Sequence, residues 1–245
     1  MGVREVTLRY CNIVGDEVAT TWNEARADLI VDGLPVRVPP TYRGQRSYPG
    51  LFWAATTRRT LVYESLLELD RLWLADFDQT VVGICTQPFQ ITARDGGTER
   101  SHVPDVLLTH ADGRVTLVDV KPTAFLDKPA VRAQFDWTRE LCRAKGWRYE
   151  VFSGADATVL RNIKVLALGR RAERLPEDHL DQARTALTDD VLTLGQALAR
   201  TPVGYDEDRW RVAVLSCMWS GQVTADLRRP LTDATVLSPS TGVAE

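Results

Sequence analysis

Two periodicities divide the chain. Apolar and polar residues alternate in Val6-Thr-Leu-Arg-Tyr10, and apolar, often β-branched runs occupy 81–88, 103–109, 115–121 and 148–153. Runs of this kind bounded by turn residues predict strands. Between the second and third of them lies Ala111-Asp112-Gly113-Arg114, a hairpin signal, because glycine and aspartate tolerate the backbone angles of a tight reversal. Helices are expected instead over 60–74, 128–145, 157–168, 177–187, 191–200 and 206–219, where apolar positions recur at helical spacing. Gly146 ends the second of these, and Thr188-Asp-Asp190 separates the fourth from the fifth. Short strands are expected at 221–227 and 230–236.

The hairpin has a chemical consequence. A turn centred near Asp112-Gly113 sets Asp105 opposite residues 119–121. Side chains alternate faces along a strand, so Asp119 and Lys121 point the same way. Three charged groups therefore gather at one end of an otherwise apolar hairpin, where burial without partners is unfavourable. Two arrangements relieve it. One is a surface ion pair at the hairpin end. The other is a divalent metal between Asp105 and Asp119, because hard cations take oxygen ligands. Asp…Asp-x-Lys is also the active-site signature of metal-dependent nucleases with a restriction-endonuclease-like core. The expected order of elements, α-β-β-β-α-β, is the order of that core, in which a helix glutamate completes the metal site. Glu64 and Glu68, four apart on the face of one expected helix, are the candidates. Glu64 is assigned, with Glu68 as the alternative.

A wider set of motifs resembles one family. Tyr42-Arg-Gly-Gln45, Tyr48-Pro-Gly-Leu51-Phe-Trp53-Ala-Ala-Thr56, Tyr63-Glu-Ser65, Asp76-Phe-Asp78, Val81-Val-Gly-Ile84, Gln87-Pro-Phe89, Ser101-His-Val-Pro-Asp105, Val118-Asp-Val-Lys-Pro122 and Gly146-Trp-Arg-Tyr149 stand in order over about 34–152. Together they resemble TnsA, the endonuclease subunit of heteromeric transposases, and in particular the TnsA-like proteins of actinobacteria. The resemblance implies an enzyme that nicks double-stranded DNA at the 5′ ends of a transposon. A DDE-type transposase would cut and join the 3′ ends, with an AAA+ ATPase as regulator. Carried over residue by residue, it implies Glu64 and Asp105 as acidic metal ligands and Lys121 as the catalytic lysine. Asp119 occupies a position where the best-known members carry Gln, so this chain adds a carboxylate. The implied cofactor is Mg²⁺, with Mn²⁺ as a substitute, held by Glu64, Asp105, Asp119 and the backbone carbonyl of Val120. Lys121 would orient water or stabilise developing charge.

Composition narrows the setting. No run approaches the length of a membrane span, and the N-terminus lacks a secretory apolar region, so a bacterial cytoplasmic protein is expected. The four cysteines lack zinc-ligand spacing. No phosphate-cradling glycine loop is present, which places any ATPase on another chain. The formal net charge of −3 does not itself suggest DNA binding, so the distribution of charge matters more. Between Gly33 and Tyr63 stand five arginines and no acidic residue, and over 128–171 ten basic residues face four acidic ones. Such stretches suit a phosphate backbone. Arg43 and Arg46 are the expected DNA contacts, whereas Phe52 and Trp53 are expected to pack. His102, beside the expected metal site, suits a phosphate, a neighbouring carboxylate or an ordinary polar strand position.

The expected architecture is α/β: a restriction-endonuclease-like core, a mixed sheet flanked by helices, over 34–170. A lead-in, β-rich or loosely structured, occupies 1–33. A small helical, winged-helix-like partner-binding module follows over 171–237, and a disordered tail over 238–245. The module is acidic in its first half, which favours protein contact over groove reading. Two other readings stay open: a free-standing restriction- or repair-type nuclease of the same fold, and a catalytically idle DNA-binding assembly subunit.

Overall fold

The computed structural model describes residues 6–37, 48–95, 98–188 and 191–240. It is mixed α/β and divides into two units, 1–154 and 155–245. In chain order the first unit runs β1 (Val6–Cys11), β2 (Glu17–Thr21), α1 (Ala27–Ile30), β3 (Gly50–Ala54), β4 (Arg59–Tyr63), α2 (Leu66–Phe77), β5 (Val81–Thr86), β6 (Gln90–Asp95), β7 (Thr98–His102), β8 (Val106–His110), β9 (Val115–Val120), α3 (Pro129–Lys145) and β10 (Arg148–Phe152).

A four-stranded sheet in the order β10-β9-β8-β5 carries the expected hairpin. Strand β8 lies antiparallel to both β5 and β9, and β10 returns parallel to β9 after α3. Both faces of this sheet are covered, which explains why its strands read as continuous apolar runs. Leu107 and Leu117 pack to one side with Leu8, Phe89, Ile91 and Cys142. Val106, Leu108 and Val118 pack to the other with Phe52, Leu61 and Leu72. Phe52 stands edge-on to Trp73 with ring centroids 4.8 Å apart, as its packing role requires.

One expectation for this unit changes and two features sharpen it. The helix expected over 60–74 is a strand followed by a helix. Residues Thr60-Leu-Val-Tyr63 are β-branched or aromatic and pair with β3, Leu61 opposite Phe52. Helix α2 starts only after Ser65, whose side chain accepts a hydrogen bond from the backbone N–H of Glu68. Glu64 therefore precedes the helix, and Glu68 alone of the pair lies on it. Of the two forms expected for the lead-in over 1–33, its described residues take the β-rich one. Strand β1 pairs with β2 and β6, and Leu8, Trp22 and Ile30 are buried core residues. Finally, the hairpin β6–β7 is an insertion between β5 and β8 that completes a second sheet in the order β2-β1-β6-β7. Strand β7, Thr-Glu-Arg-Ser-His, is polar and sits at the sheet edge, so hydrophobic patterning does not reveal it.

The second unit consists of α4 (Ala157–Leu166), two single-turn 3-10 segments, α5 (Glu177–Thr188), β11 (Leu192–Thr193), α6 (Leu194–Ala199), α7 (Glu207–Trp219), β12 (Val223–Thr224) and β13 (Val236–Pro239). Its strands form a small antiparallel sheet in the order β11-β13-β12. The boundary expected at 170 falls at 154. The reason is that α4 runs into a 3-10 turn whose Gly169 lies against the backbone of α7, where a Cβ would stand 2.3 Å from the Ser216 nitrogen. Helix α6 is shorter than the expected 191–200, because Thr193 forms a capping box with Gln196 and leaves Leu192–Thr193 free to pair as β11. The strand expected at 230–236 is mostly loop. Its place is taken by Val236–Pro239, so the expected tail enters the sheet before running out of the described residues at 241. Helix α7 is buried at Trp210 and continuously from Ala213 to Trp219, on every side of its last two turns.

Candidate active site

The hairpin register determines which side chains meet. Val106 lies opposite Val118, Leu107 opposite Leu117 and Thr109 opposite Val115, so the next step outward sets Asp105 against Asp119. Gly113 at φ 80° supplies the left-handed turn position this register needs. Asp105 is held at three points. Its N–H donates to the Val118 carbonyl at 3.1 Å, its carbonyl accepts from the Gln87 N–H at 2.9 Å, and its Oδ2 accepts from the Val120 N–H at 2.6 Å. Lys121 comes directly after the end of β9, and its N–H donates to the Phe152 carbonyl at 2.8 Å.

Arg37, Glu64, Glu68, His102, Asp105, Asp119, Val120 and Lys121 line one cleft of about 440 Å³. Helix α2 delivers Glu68 from its first turn. The Glu68 carboxylate accepts from the Glu64 N–H at 2.8 Å, from the Ser65 hydroxyl at 2.9 Å and from the Gln87 amide at 3.5 Å. Glu64, in the link between β4 and α2, is paired with Arg37. Nη2 and Nε of Arg37 approach the same Glu64 oxygen at 2.7 and 2.9 Å. Asp119 is almost wholly buried, and both its oxygens lie 2.9 Å from His102 Nε2. The Tyr149 hydroxyl from β10 donates to Asp119 Oδ2. His102 therefore contacts a carboxylate, one of its three expected roles, and does so across the two sheets, from β7 to β9.

Electrostatics single out Asp105. Its carboxyl is pushed up to about 8, first by burial and then by repulsion from Glu68, with Asp119 and Glu64 adding to it and the Val120 N–H opposing. Glu68 is also raised, chiefly by burial. Buried like charges around one carboxyl make a site that gains by receiving a cation. The donor chemistry suits a hard divalent ion, since carboxylates from Glu64, Glu68 and Asp105 open on the same cleft. Among the described residues, no three His, Cys, Asp or Glu side chains are already drawn together as a ligand set. Asp119 is engaged by His102 and Tyr149.

Residues 78–154 match the family model described as TnsA-like endonuclease N terminal. This TnsA-like stretch covers less than half of the chain. It opens at the C-terminal end of α2 and runs to the end of the first unit, taking in Asp105, Asp119 and Lys121 but not Arg37, Glu64 or Glu68. The match supports a TnsA-like family and points to a DNA nuclease related to transposition. No curated protein matches the chain.

Sequence reasoning missed three participants. Tyr149 closes the motif Gly146-Trp-Arg-Tyr149, but nothing in the motif or its strand position points to Asp119. Arg37 was one of five arginines in an apparently basic stretch, yet within it Arg37 pairs with Glu64, and Arg59 donates to the Asp32 and Gly33 carbonyls at 2.7 and 3.3 Å. Lys145, counted in the second basic stretch, is likewise committed to the Trp22 and Asn23 carbonyls at 2.7 and 3.0 Å. Gln87 had a readable signal, an amide within the apolar run 81–89. It is fully buried at φ 42°, a strained value for a side-chain-bearing residue, and its Oε1 has no hydrogen-bond partner among the described residues. Arg43 and Arg46 lie outside the described residues, and among the described residues no helix is long and apolar enough to cross a membrane.

Proposed function

We propose that this chain is a metal-dependent DNA endonuclease that nicks the 5′ ends of a transposon, acting with a DDE-type transposase and an AAA+ ATPase regulator in a bacterial cytoplasm. The observation that carries this reading is the desolvated Asp105, ringed by Glu64, Glu68 and Asp119 in a cleft that also holds Lys121, with Asp105, Asp119 and Lys121 inside the TnsA-like stretch. The helix, three-strand, helix, strand order of α2, β5, β8, β9, α3 and β10 supports a restriction-endonuclease-like core. The helix-strand-helix-helix-strand-strand order from α5 to β13 supports a winged-helix-like module. Burial of the last two turns of α7 on every side favours protein contact over groove reading for that module.

Asp105 and Asp119, with Glu64 or else Glu68 and the Val120 carbonyl, would hold Mg²⁺, and Mn²⁺ would substitute. A bound Mg²⁺ supplies Lewis-acid charge that polarises a phosphodiester and makes water nucleophilic near neutral pH. The residues of the chain do the rest. Lys121 offers a compact positive charge to the phosphate oxygens as negative charge develops on them. Asp119 holds His102 in place through two 2.9 Å contacts, and Tyr149 fixes the carboxylate from behind. Asp119 thus serves as an anchor for the site in addition to its expected place among the metal ligands.

Cleavage of transposon-end DNA, with and without the transposase and in Mg²⁺ or Mn²⁺, tests the reading. Asp105→Ala and Lys121→Ala are each expected to lower nicking by about 10³-fold or more, with folding retained by circular dichroism. Wild-type rates in both variants would sink the assignment. Robust cleavage of unrelated DNA by the chain alone would favour a free-standing nuclease instead.

A further inference from the structure

Resting on the nuclease reading above, the geometry points to Arg37 as an exchangeable clamp: it neutralises Glu64 in the free protein and passes to a DNA phosphate when a divalent cation takes the Glu64 carboxylate.

Among the described residues, Arg37 is one of two permanently or normally cationic side chains lining a cleft that holds four carboxylates. Its backbone is tethered, because the neighbouring Val36 N–H donates to the Gln87 carbonyl at 2.9 Å and Leu34 bridges to Cys11. Its side chain is the more exposed part of the pair, 51% against 24% for Glu64. An ion pair this exposed contributes little to stability, so exchanging it is not costly. The pairing is also a poor use of a guanidinium. Both nitrogens converge on a single Glu64 oxygen, whereas the planar fork binds best to two oxygens of a carboxylate or phosphate. A phosphate at the cleft mouth offers those two oxygens.

The physical logic is competition followed by co-operation. Before any cation arrives, Arg37 offsets part of the repulsion among the acids, and its charge also favours the ionised form of Glu68. A divalent ion in the cleft performs the same service more strongly and competes for the Glu64 oxygen. The guanidinium is then released beside the position where the DNA backbone must lie. Metal and DNA binding are coupled through one side chain, and the free chain keeps its acids screened.

This makes predictions of opposite sign. In the full-length chain without DNA, Arg37→Ala is expected to tighten Mn²⁺ binding several-fold, read from the free Mn²⁺ signal in electron paramagnetic resonance. The same variant is expected to weaken binding of a labelled duplex DNA in Ca²⁺. It should also flatten the dependence of log Kd on log salt by about 0.9, the value of one phosphate contact. Arg37→Lys keeps a charge without the fork and is expected to fall between, which separates clamp loss from misfolding. Mn²⁺ affinity that is unchanged or weaker in a folded Arg37→Ala variant overturns the proposal, as does an unchanged salt slope. Asp105→Ala keeps the two readings apart. If it loses Mn²⁺ while Arg37→Ala binds like wild type, only the clamp fails. If it binds Mn²⁺ as wild type does, the metal cleft itself fails and the clamp with it.

Discussion

Asp105 shows how a single residue can be at odds with its own fold. Its carboxyl is raised from 3.8 to about 8, so the folded state of the metal-free protein prefers it protonated. The resulting stability is fully present below pH about 4 and is lost as pH rises through about 8. Asp105→Asn keeps the shape and an acceptor for the Val120 N–H but carries no charge. It is expected to melt above wild type at pH 9, by about 2 °C or more, and to match it near pH 4. A variant that melts below wild type at pH 9 would refute the electrostatic account. A cation must displace the same proton, so Mn²⁺ affinity should climb with pH up to about 8 and flatten beyond it. Beside Asp105, Gln87 contributes strain and a side-chain oxygen without a partner among the described residues, while its N–H donates to the Asp105 carbonyl and its amide to Glu68. Such positions persist where the surroundings over-determine them.

At the scale of elements, local signals located pieces whose partners were chosen by the rest of the chain. The β8–β9 hairpin was legible because its turn and its two apolar arms are contiguous; β9 fell where it was expected, and β8 began three residues later than the run 103–109, leaving Asp105 just before it. Residues 60–63 were misread as helix because short apolar runs are ambiguous between periods. Only pairing with β3 resolves them, and with that pairing Glu64 moves off α2. In the second unit, α7 is apolar in its final turns and could pack in several ways. The close approach of Gly169 to Ser216 selects one. Gly169→Ala would force a Cβ to within 2.3 Å of a backbone nitrogen. It is expected to destabilise residues 155–245 by about 1–3 kcal/mol, measured as faster amide exchange along α7. Unaltered exchange would show that this contact is not what holds the helix.

For the whole molecule, the division at 154 assigns every described residue of the cleft to the first unit. A fragment ending at Gly154 is expected to fold and to bind Mn²⁺ within about threefold of the full chain, as a domain with its own core should. A fragment that folds but binds no Mn²⁺, when the full chain does, would disprove that the cleft is self-contained. The residues at 1–33 are part of this requirement, since Leu8, Trp22 and Ile30 fill the core behind β8 and β9. Removing them is expected to abolish folding.

What the sequence determined by itself is what short-range geometry encodes. A turn at Asp112-Gly113 and a two-residue alternation are enough to set Asp105 against Asp119 and to align Lys121 with it. The tertiary structure decided what those groups touch. His102 reaches Asp119 from 17 residues away, Tyr149 from 30, Gln87 reaches Glu68 from 19 and Arg37 reaches Glu64 from 27. No local period records such contacts. They depend on strand pairings between distant segments, whose loop-closure cost is met only when the whole sheet and its two cores assemble.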